Sequence, residues 1–315
     1  MPTSTDDLEF FDLSHPWGQG VPNWPYFEDV KIERVHYHAK SRVLTQRVTP
    51  VMHSTTQLDA PGHVIEGAPL VEDLALSSFF GTGVVVSIPK GKWELVTPDD
   101  LEAARPKIQP GDIVLVNTGW HHTFGDNSTY YAYSPGFYRE AGEWFVERGV
   151  KAVGTDTQAL DHPLATAIAP HGPGWPNGLL PWACEEYKHE TGHDVLEDFP
   201  EWEPCHRQIL SRGIVGFENV GGDIDAVTGK RVTIACFPWR WVGGDGCIVR
   251  MVAMLDRGGR FRIERDREPQ GPPPRRPDTT GARQGLPVPR RRPAKQPAKR
   301  PAKSSFPAKR GLRRR

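Results

Sequence analysis

Two histidines, a carboxylate and a carboxamide fall within eleven residues, from His53 to His63. Gln57 and Asp59 stand between the histidines, and all four positions share one parity. On an extended chain such side chains point to one face, where they could meet a single ion. Imidazole nitrogens with carboxylate or carboxamide oxygens suit cations such as Zn²⁺ and Mn²⁺. The pattern therefore predicts a metal site. The alternative is a polar loop that carries two unrelated histidines.

The local sequence indicates which elements position these side chains. Ala60-Pro61-Gly62 cannot continue a helix, so we expect residues 53–63 to form a strand end and a turn. Much farther along, a predicted helix that ends at a glycine carries His206. The strand predicted after it carries Glu218, twelve residues beyond that histidine. By itself, a histidine and a glutamate at this separation indicate little.

Residues 53–63 resemble the signature His-x-Gly-Thr-His-x-Asp-x-Pro-x-His of the cyclase family of metal-dependent hydrolases, to which bacterial kynurenine formamidase and isatin hydrolase belong. The residues that match are His53, Thr56, Asp59, Pro61 and His63. Thr55 replaces the glycine, and Gln57 replaces the middle histidine, which is a metal ligand in the family. A carboxamide oxygen can also bind a metal, but it suits Mn²⁺ better than Zn²⁺.

The resemblance covers roughly residues 10–256 and implies a set of metal ligands. The family places a metal-binding His on a helix and a metal-binding Glu, in a Glu-Asn pair, twelve residues later, as in His206 and Glu218 here. A first Mn²⁺ or Zn²⁺ ion would be held by His53, Gln57 and Asp59. Either His206 and Glu218 hold a second ion together with Asp59, or Glu218 completes the first site.

Two further residues receive roles from the resemblance. His63 would be the acid/base that moves a proton between water and the leaving nitrogen. Trp24 stands in a Trp-Pro pair, as does the tryptophan that contacts substrate in kynurenine formamidases. The alternative for Trp24 is an ordinary packing anchor.

The function that the resemblance implies is hydrolysis of a small non-peptide amide, lactam or formamide. The metal would lower the pKa of a bound water and polarise the carbonyl. One alternative is a cyclase or dehydratase, in which the ion polarises a carbonyl and His63 shuttles a proton without hydrolysis. Another is a non-catalytic scaffold. Family members form dimers or tetramers in which an N-terminal loop helps to build a neighbour's pocket, so we expect a homodimer or homotetramer.

Hydrophobic and turn patterns predict the remaining elements. A hairpin is predicted within residues 29–50, and residues 162–204 look like a long insertion whose four histidines are solvated loop residues. Two closing strands are predicted to flank Gly243-Gly244-Asp245-Gly246, as in the family's closing hairpin. Asp156 and Asp161 either support the site residues from outside the ligand set or form turns, and a turn is the expectation for each one alone. Buried strands are predicted at residues 81–89, 112–117, 150–154 and 214–220, and helices at 97–102, 135–148 and 205–213. With the resemblance, these elements predict one α/β domain over residues 1–268, with a mixed-sheet or barrel-like β core and flanking helices.

The tail from residue 269 to 315 differs from the rest of the chain. It holds 15 of the 39 Lys and Arg residues but only one of the 39 acidic residues, so it carries a formal charge of about +14 and the remainder about −14. Eleven prolines and repeated Pro-Ala-Lys triplets predict a disordered tail with polyproline II character. Nucleic acid is not an expected partner, except through this tail.

Several features indicate the compartment. The four cysteines show no CxxC spacing, and the acidic first twelve residues do not resemble a signal peptide. No run of apolar residues is long enough to span a membrane. We therefore expect a cytoplasmic protein with reduced thiols. The family resemblance implies a small-molecule substrate.

Overall fold

The structure is a computed structural model that describes residues 8–171 and 174–256. Its strands are β1 (Leu8–Asp12), β2 (Lys31–His36), β3 (Thr45–Thr49), β4 (Gln57–Asp59), β5 (Phe80–Ser87), β6 (Ile113–Asn117), β7 (Ala152–Thr155), β8 (Val215–Glu218), β9 (Lys230–Ala235), β10 (Gly246–Ile248) and β11 (Val252–Asp256). Its α-helices are α1 (His38–Ser41), α2 (Pro98–Ala103), α3 (Ser128–Ala132), α4 (Arg139–Arg148), α5 (Pro181–Thr191), α6 (Val195–Asp198), α7 (Pro204–Leu210) and α8 (Ile224–Val227). Short 3₁₀ helices cover Pro61–His63, Val71–Asp73, Leu76–Phe79, Trp120–Thr123 and Pro163–Ala165.

Nine of the described strands form one mixed, curled sheet in the order β1-β11-β9-β5-β6-β7-β8-β4-β10. The four middle strands β5, β6, β7 and β8 run parallel, and the flanking pairs are antiparallel. Parallel neighbours need crossover connections, and α2, α4 and α7 lie in those connections. The predicted α/β domain with a mixed, barrel-like sheet and flanking helices is confirmed.

The parallel strands are buried on both faces, which explains their continuous apolar sequence. In β6, Ile113 and Leu115 belong to one apolar cluster, while Val114 and Val116 belong to the other. The second cluster also includes Leu101 of α2 and Phe145 of α4. A rigid, doubly covered sheet therefore supports the ends of β7 and β8, where polar side chains begin.

Helix boundaries follow local capping. Thr97 caps α2 by accepting a hydrogen bond from the backbone of Asp100, as its sequence predicts. Helix α4 ends at Gly149, whose φ of 65° suits glycine. Its start at Arg139 is later than predicted, because Gly136 and Phe137 form backbone bridges to other segments instead.

The closing pair of strands predicted around residues 243–246 is present as β9 and β11, which pair antiparallel. The short strand β10 lies between them in sequence and pairs with β4 instead, so the connection is longer than a simple hairpin turn. This detour places Asp245 beside the strand that carries Gln57 and Asp59. The hairpin predicted within residues 29–50 is confirmed as β2 and β3, which form a separate two-stranded sheet.

The predicted boundary at residue 268 and the basic tail from 269 to 315 lie outside the described residues. Within those residues, no helix has both the length and the apolar character needed to cross a membrane. All four cysteines are free thiols.

Candidate active site

Strand β4 brings the central residues of the site together. Gln57 lies opposite Glu218 of β8, and Asp59 lies opposite Gly246 of β10. Because side chains alternate along a strand, Gln57 and Asp59 share one face while Leu58 points into the apolar core. The register of three paired strands therefore fixes the positions of both polar side chains.

The two histidines of residues 53–63 do not lie on the strand that carries Gln57 and Asp59, although the alternation of side chains along an extended chain predicted that they would. Strand β4 is only three residues long. His53 precedes it, before a turn in which Thr55 has a φ of 58°, and His63 ends the 3₁₀ helix Pro61–His63. The expectation of one continuous extended face is therefore wrong for His53 and His63. Their rings nevertheless meet beside β4, stacked with centroids 4.0 Å apart.

Asp59, His206 and Glu218 form a buried group of metal-binding type. Nε2 of His206 lies 3.0 Å from Oε1 of Glu218 and 3.5 Å from Oδ2 of Asp59. That Asp59 oxygen is buried and makes no hydrogen bond. The structure therefore brings residues that are far apart in sequence within the reach of one ion.

His206 is held in place by Asp161. The carboxylate of Asp161 lies 2.6 Å from Nδ1 of His206 and also accepts hydrogen bonds from the backbone N–H groups of Cys205 and His206. Histidine ligands in proteins are commonly oriented by a carboxylate in this way. The expectation that Asp161 serves mainly to form a turn is wrong, because its side chain spans from β7's loop to α7.

A second group joins His53, His63 and Asp245. Oδ2 of Asp245 lies 2.9 Å from Nε2 of His53 and 3.4 Å from Nδ1 of His63. The other ring nitrogen of His53 lies 2.8 Å from Oδ1 of Asp59. Gly246 is required here, because a Cβ atom at that position would lie 2.4 Å from the His53 ring. Asp245 thereby links the acid/base candidate to the ligand candidates.

Gln57 lies at the centre of the ligand candidates. Its Nε2 lies 2.9 Å from Oε2 of Glu218, 3.2 Å from Nδ1 of His53 and 3.4 Å from Oδ1 of Asp59. In this orientation the amide N–H groups point toward the carboxylate oxygens of Glu218 and Asp59 and the ring nitrogen of His53. Rotation of the carboxamide by half a turn would direct its oxygen there instead, as a metal ligand requires.

The pKa directions show an excess of buried negative charge around these histidines. Burial would lower the pKa of His53, but hydrogen bonds to Asp245 and Asp59 raise it to about 10. For His206, burial is likewise outweighed by the nearby carboxylates of Asp161, Asp59 and Glu218, so its pKa is raised. Burial and the nearby Asp59 charge raise the pKa of Glu218. A bound cation would compensate the same charges, and its binding would release protons.

The site opens into a pocket that is accessible from solvent. Trp24 lines it together with Phe27, Tyr130 and Tyr131, while His53, Gln57, His63, His206 and Glu218 form its polar side. A backbone bridge between Asn23 and Ser54 fixes the segment that carries Trp24. Every residue that the sequence singled out for the site, except the fully buried Asp59, therefore lines this pocket. Asp59 lies directly behind it.

Comparisons with known proteins relate part of this chain to a known family. Residues 11–162, just under half of the chain, match the cyclase family model. The chain is 28% identical over 162 residues to kynurenine formamidase of Erythrobacter litoralis, an alignment that covers 51% of this chain and 71% of that protein.

Solved structures of other proteins share the fold of this chain. Isatin hydrolase A from Labrenzia aggregata matches with a TM-score of 0.63 at 20% identity, over 80% of this chain and 95% of that chain. A structure described as a potential metal-dependent hydrolase with cyclase activity matches with a TM-score of 0.56 at 18% identity, over 79% of this chain and 98% of that chain.

Two residues of this site were not identified from sequence. Asp245 was visible only as part of a glycine-rich turn, and its position depends on the long-range pairing of β10 with β4. Glu203 lines the pocket with a φ of 46°. Burial of its carboxyl group raises its pKa to about 7, although the residue as a whole is only partly buried. No local pattern marks Glu203 as a pocket residue.

Proposed function

We propose that this chain is a metal-dependent hydrolase that cleaves the C–N bond of a small amide, lactam or formamide. The observation that carries the proposal is the buried group of Asp59, His206 and Glu218 at the base of a pocket that His63 also lines. The names of the kynurenine formamidase and isatin hydrolase relatives support the substrate class.

The donor set fits a divalent ion, Mn²⁺ or Zn²⁺. Two carboxylates and an imidazole converge there, and a buried Asp59 oxygen has no hydrogen bond. His53, Gln57 and Asp59 would hold one ion. Either His206 and Glu218 would hold a second ion together with Asp59, or Glu218 would complete the first site. Such an ion lowers the pKa of water and polarises a carbonyl group.

His63 is the proposed acid/base. Its side chain is 28% exposed, so it reaches the pocket, and Asp245 fixes the direction of its ring. A neutral imidazole in this position can accept a proton from water and deliver it to the leaving nitrogen. Trp24 and the neighbouring aromatic rings form an apolar wall that suits a flat substrate.

The test is turnover by the full-length chain, loaded with Mn²⁺ or Zn²⁺, on N-formyl aromatic amines, isatin, cyclic imides and lactones. We expect hydrolysis, with product mass increased by one water, and loss of turnover after chelation. His63→Gln should reduce kcat by about 10²–10⁴-fold while retaining the metal. His193→Gln, which changes an exposed histidine, is the matched control.

Three outcomes would overturn parts of this proposal. Full turnover by metal-free protein excludes the metal-dependent mechanism. Loss of an ion from His63→Gln makes His63 a ligand rather than the acid/base. A product of unchanged mass, or one that has lost water, identifies a cyclase or dehydratase instead.

A further inference from the structure

A second cluster of metal-binding side chains lies outside the pocket. The 3₁₀ helix Trp120–Thr123, which follows β6, carries His121 and His122, and α8 carries Asp225. Nε2 of His121 lies 3.3 Å from Oδ1 of Asp225, and Nε2 of His122 lies 3.2 Å from Oδ2. None of these three residues lines the pocket described above.

These two separations are close to those in a tetrahedral metal site, with each histidine facing a different oxygen of Asp225, and the ligand atoms of all three residues lie within 4.8 Å of one another. Zn²⁺ binds imidazole nitrogen and carboxylate oxygen at about 2.0–2.2 Å, so neighbouring ligand atoms in a tetrahedron lie roughly 3.3–3.5 Å apart. The His121 and His122 rings lie close together, with centroids 4.0 Å apart. Both can therefore direct Nε2 toward the same carboxylate without a change of backbone.

His121 provides an independent indication of a missing partner. The residue is only 8% exposed, and its Nε2 makes no hydrogen bond among the described residues. Its Nδ1 lies 2.9 Å from the fully buried carboxylate of Asp156. A carboxylate that accepts the Nδ1 proton leaves the Nε2 lone pair free, which is the usual arrangement behind a metal-bound histidine.

In this arrangement the Nε2 lone pair of His121 faces an oxygen of Asp225. Two such acceptors 3.3 Å apart repel each other unless a positive charge lies between them. A proton on His121 or a metal ion could supply it. The Nε2 atom of the adjacent His122 also points toward the Asp225 carboxylate and would be a third metal ligand. A proton shared between His121 and Asp225 would not need this second histidine.

We infer that His121, His122 and Asp225 form a second metal site, which takes Zn²⁺ with water in its remaining position. Two imidazoles and one carboxylate are a common ligand set for this ion. The site connects the segment after β6 to α8 and, through Asp156, to the end of β7. It is open to solvent on the side of His122, whose side chain is 65% exposed, so its ion exchanges readily.

Zn²⁺ titration of the untagged, metal-stripped full-length chain tests this inference. Calorimetry and elemental analysis should show that wild type binds one more equivalent than His122→Ala. Asp225→Asn should lose the same equivalent, and His193→Ala, an exposed histidine elsewhere, should lose none. Zn²⁺ should raise the melting temperature of His122→Ala less than that of wild type.

The comparison is independent of the proposed activity. His122→Ala should keep wild-type turnover, and all variants should match wild type in circular dichroism without metal. If His122→Ala and Asp225→Asn bind as much Zn²⁺ as wild type, a proton bridges His121 and Asp225 and the inference is wrong. Equal loss from His193→Ala would show only adventitious surface binding, which also overturns it.

Discussion

Gln57 sets the chemistry of this site at the scale of single residues. Family resemblance assigns histidine to its position, and here a carboxamide contacts His53, Asp59 and Glu218 at once. Two roles remain open to it. Its oxygen can bind the ion, or its nitrogen can hold the Glu218 carboxylate and a substrate or water in place. Carboxamide oxygen is a weaker ligand than imidazole for Zn²⁺, so the first role implies a preference for Mn²⁺.

Substitutions of Gln57 distinguish these roles. If Gln57 is a ligand, Gln57→His should raise Zn²⁺ affinity, and Gln57→Leu should weaken binding of any ion by about tenfold or more. Metal stoichiometry and affinity of both variants, measured beside wild type, provide the check. An unchanged ion in Gln57→Leu, with loss of turnover alone, would rule out the ligand role.

The site residues that could be identified from sequence lie close together in the chain or match a known spacing. His53, Asp59 and His63 lie within one segment, and the spacing of His206 and Glu218 matched a known arrangement. Asp245 and Glu203 could not be identified in this way, because their places depend on β10 pairing with β4 and on the backbone turn before α7. For Asp156 and Asp161 a turn was the favoured expectation, but the alternative of a supporting role fits better, because each contacts a histidine that the fold brings close.

At the scale of secondary-structure elements, the strands that are buried on both faces were the most predictable from sequence. Residues 112–117 and 81–89 have continuous apolar runs, and the observed strands β6 and β5 lie within one residue or two of them. The insertion over residues 162–204 was less predictable, because its histidines carry no periodic signal. His162 was expected to be solvated but is fully buried and stacks on Phe199. Its Nε2 donates to the Trp93 carbonyl, while its Nδ1 accepts from the Leu164 N–H.

His162 should make the stability of this insertion depend on pH. Burial lowers its pKa to about 3, well below the ordinary value of 6.5. Between these values the unfolded chain takes up a proton that the folded chain excludes, so stability is complete above pH 6.5 and falls on acidification toward pH 3. His162→Asn should flatten the dependence of unfolding free energy on pH, by at most about 1.4 kcal/mol per pH unit.

Urea unfolding across this pH range measures the slope directly. The comparison concerns the slope rather than the absolute stability, because any change at a buried position lowers stability. His193→Asn is the control, since an exposed ion pair with Asp198 raises the pKa of His193 and acts in the opposite direction. An equal slope in His162→Asn and wild type would show that this histidine does not stay neutral in the fold.

At the scale of the whole molecule, the β2–β3 hairpin stands apart from the main sheet. Both of its strands are almost entirely exposed, and a two-stranded ribbon is marginally stable alone. Its exposed apolar side chains are Val35, Tyr37, Val43, Leu44 and Val48. These features support the expected homodimer or homotetramer, in which another copy covers the hairpin.

Light scattering after size exclusion should therefore give the mass of a dimer or tetramer. Val48→Glu places a charge in the exposed apolar group and should shift the protein toward monomer. Leu76→Glu changes a residue that is 71% exposed outside the hairpin and should leave the assembly intact. A monomeric wild type, or equal behaviour of both variants, contradicts this prediction. The domain boundary at residue 268 and the disordered tail stay predictions.

Three non-glycine residues with left-handed backbone surround the pocket: Thr55, Glu203 and Asn219. Thr55 and Glu203 each cost roughly 1–2 kcal/mol relative to an ordinary conformation, whereas Asn219 adopts this conformation more readily. Backbone strain is therefore concentrated around the pocket. Substitutions that relieve this strain should raise the melting temperature but lower turnover. Laboratory selection for thermostability alone would favour glycine at these positions and would distort the pocket. Libraries that hold these three codons constant should find heat-tolerant, active enzymes more often than unrestricted ones.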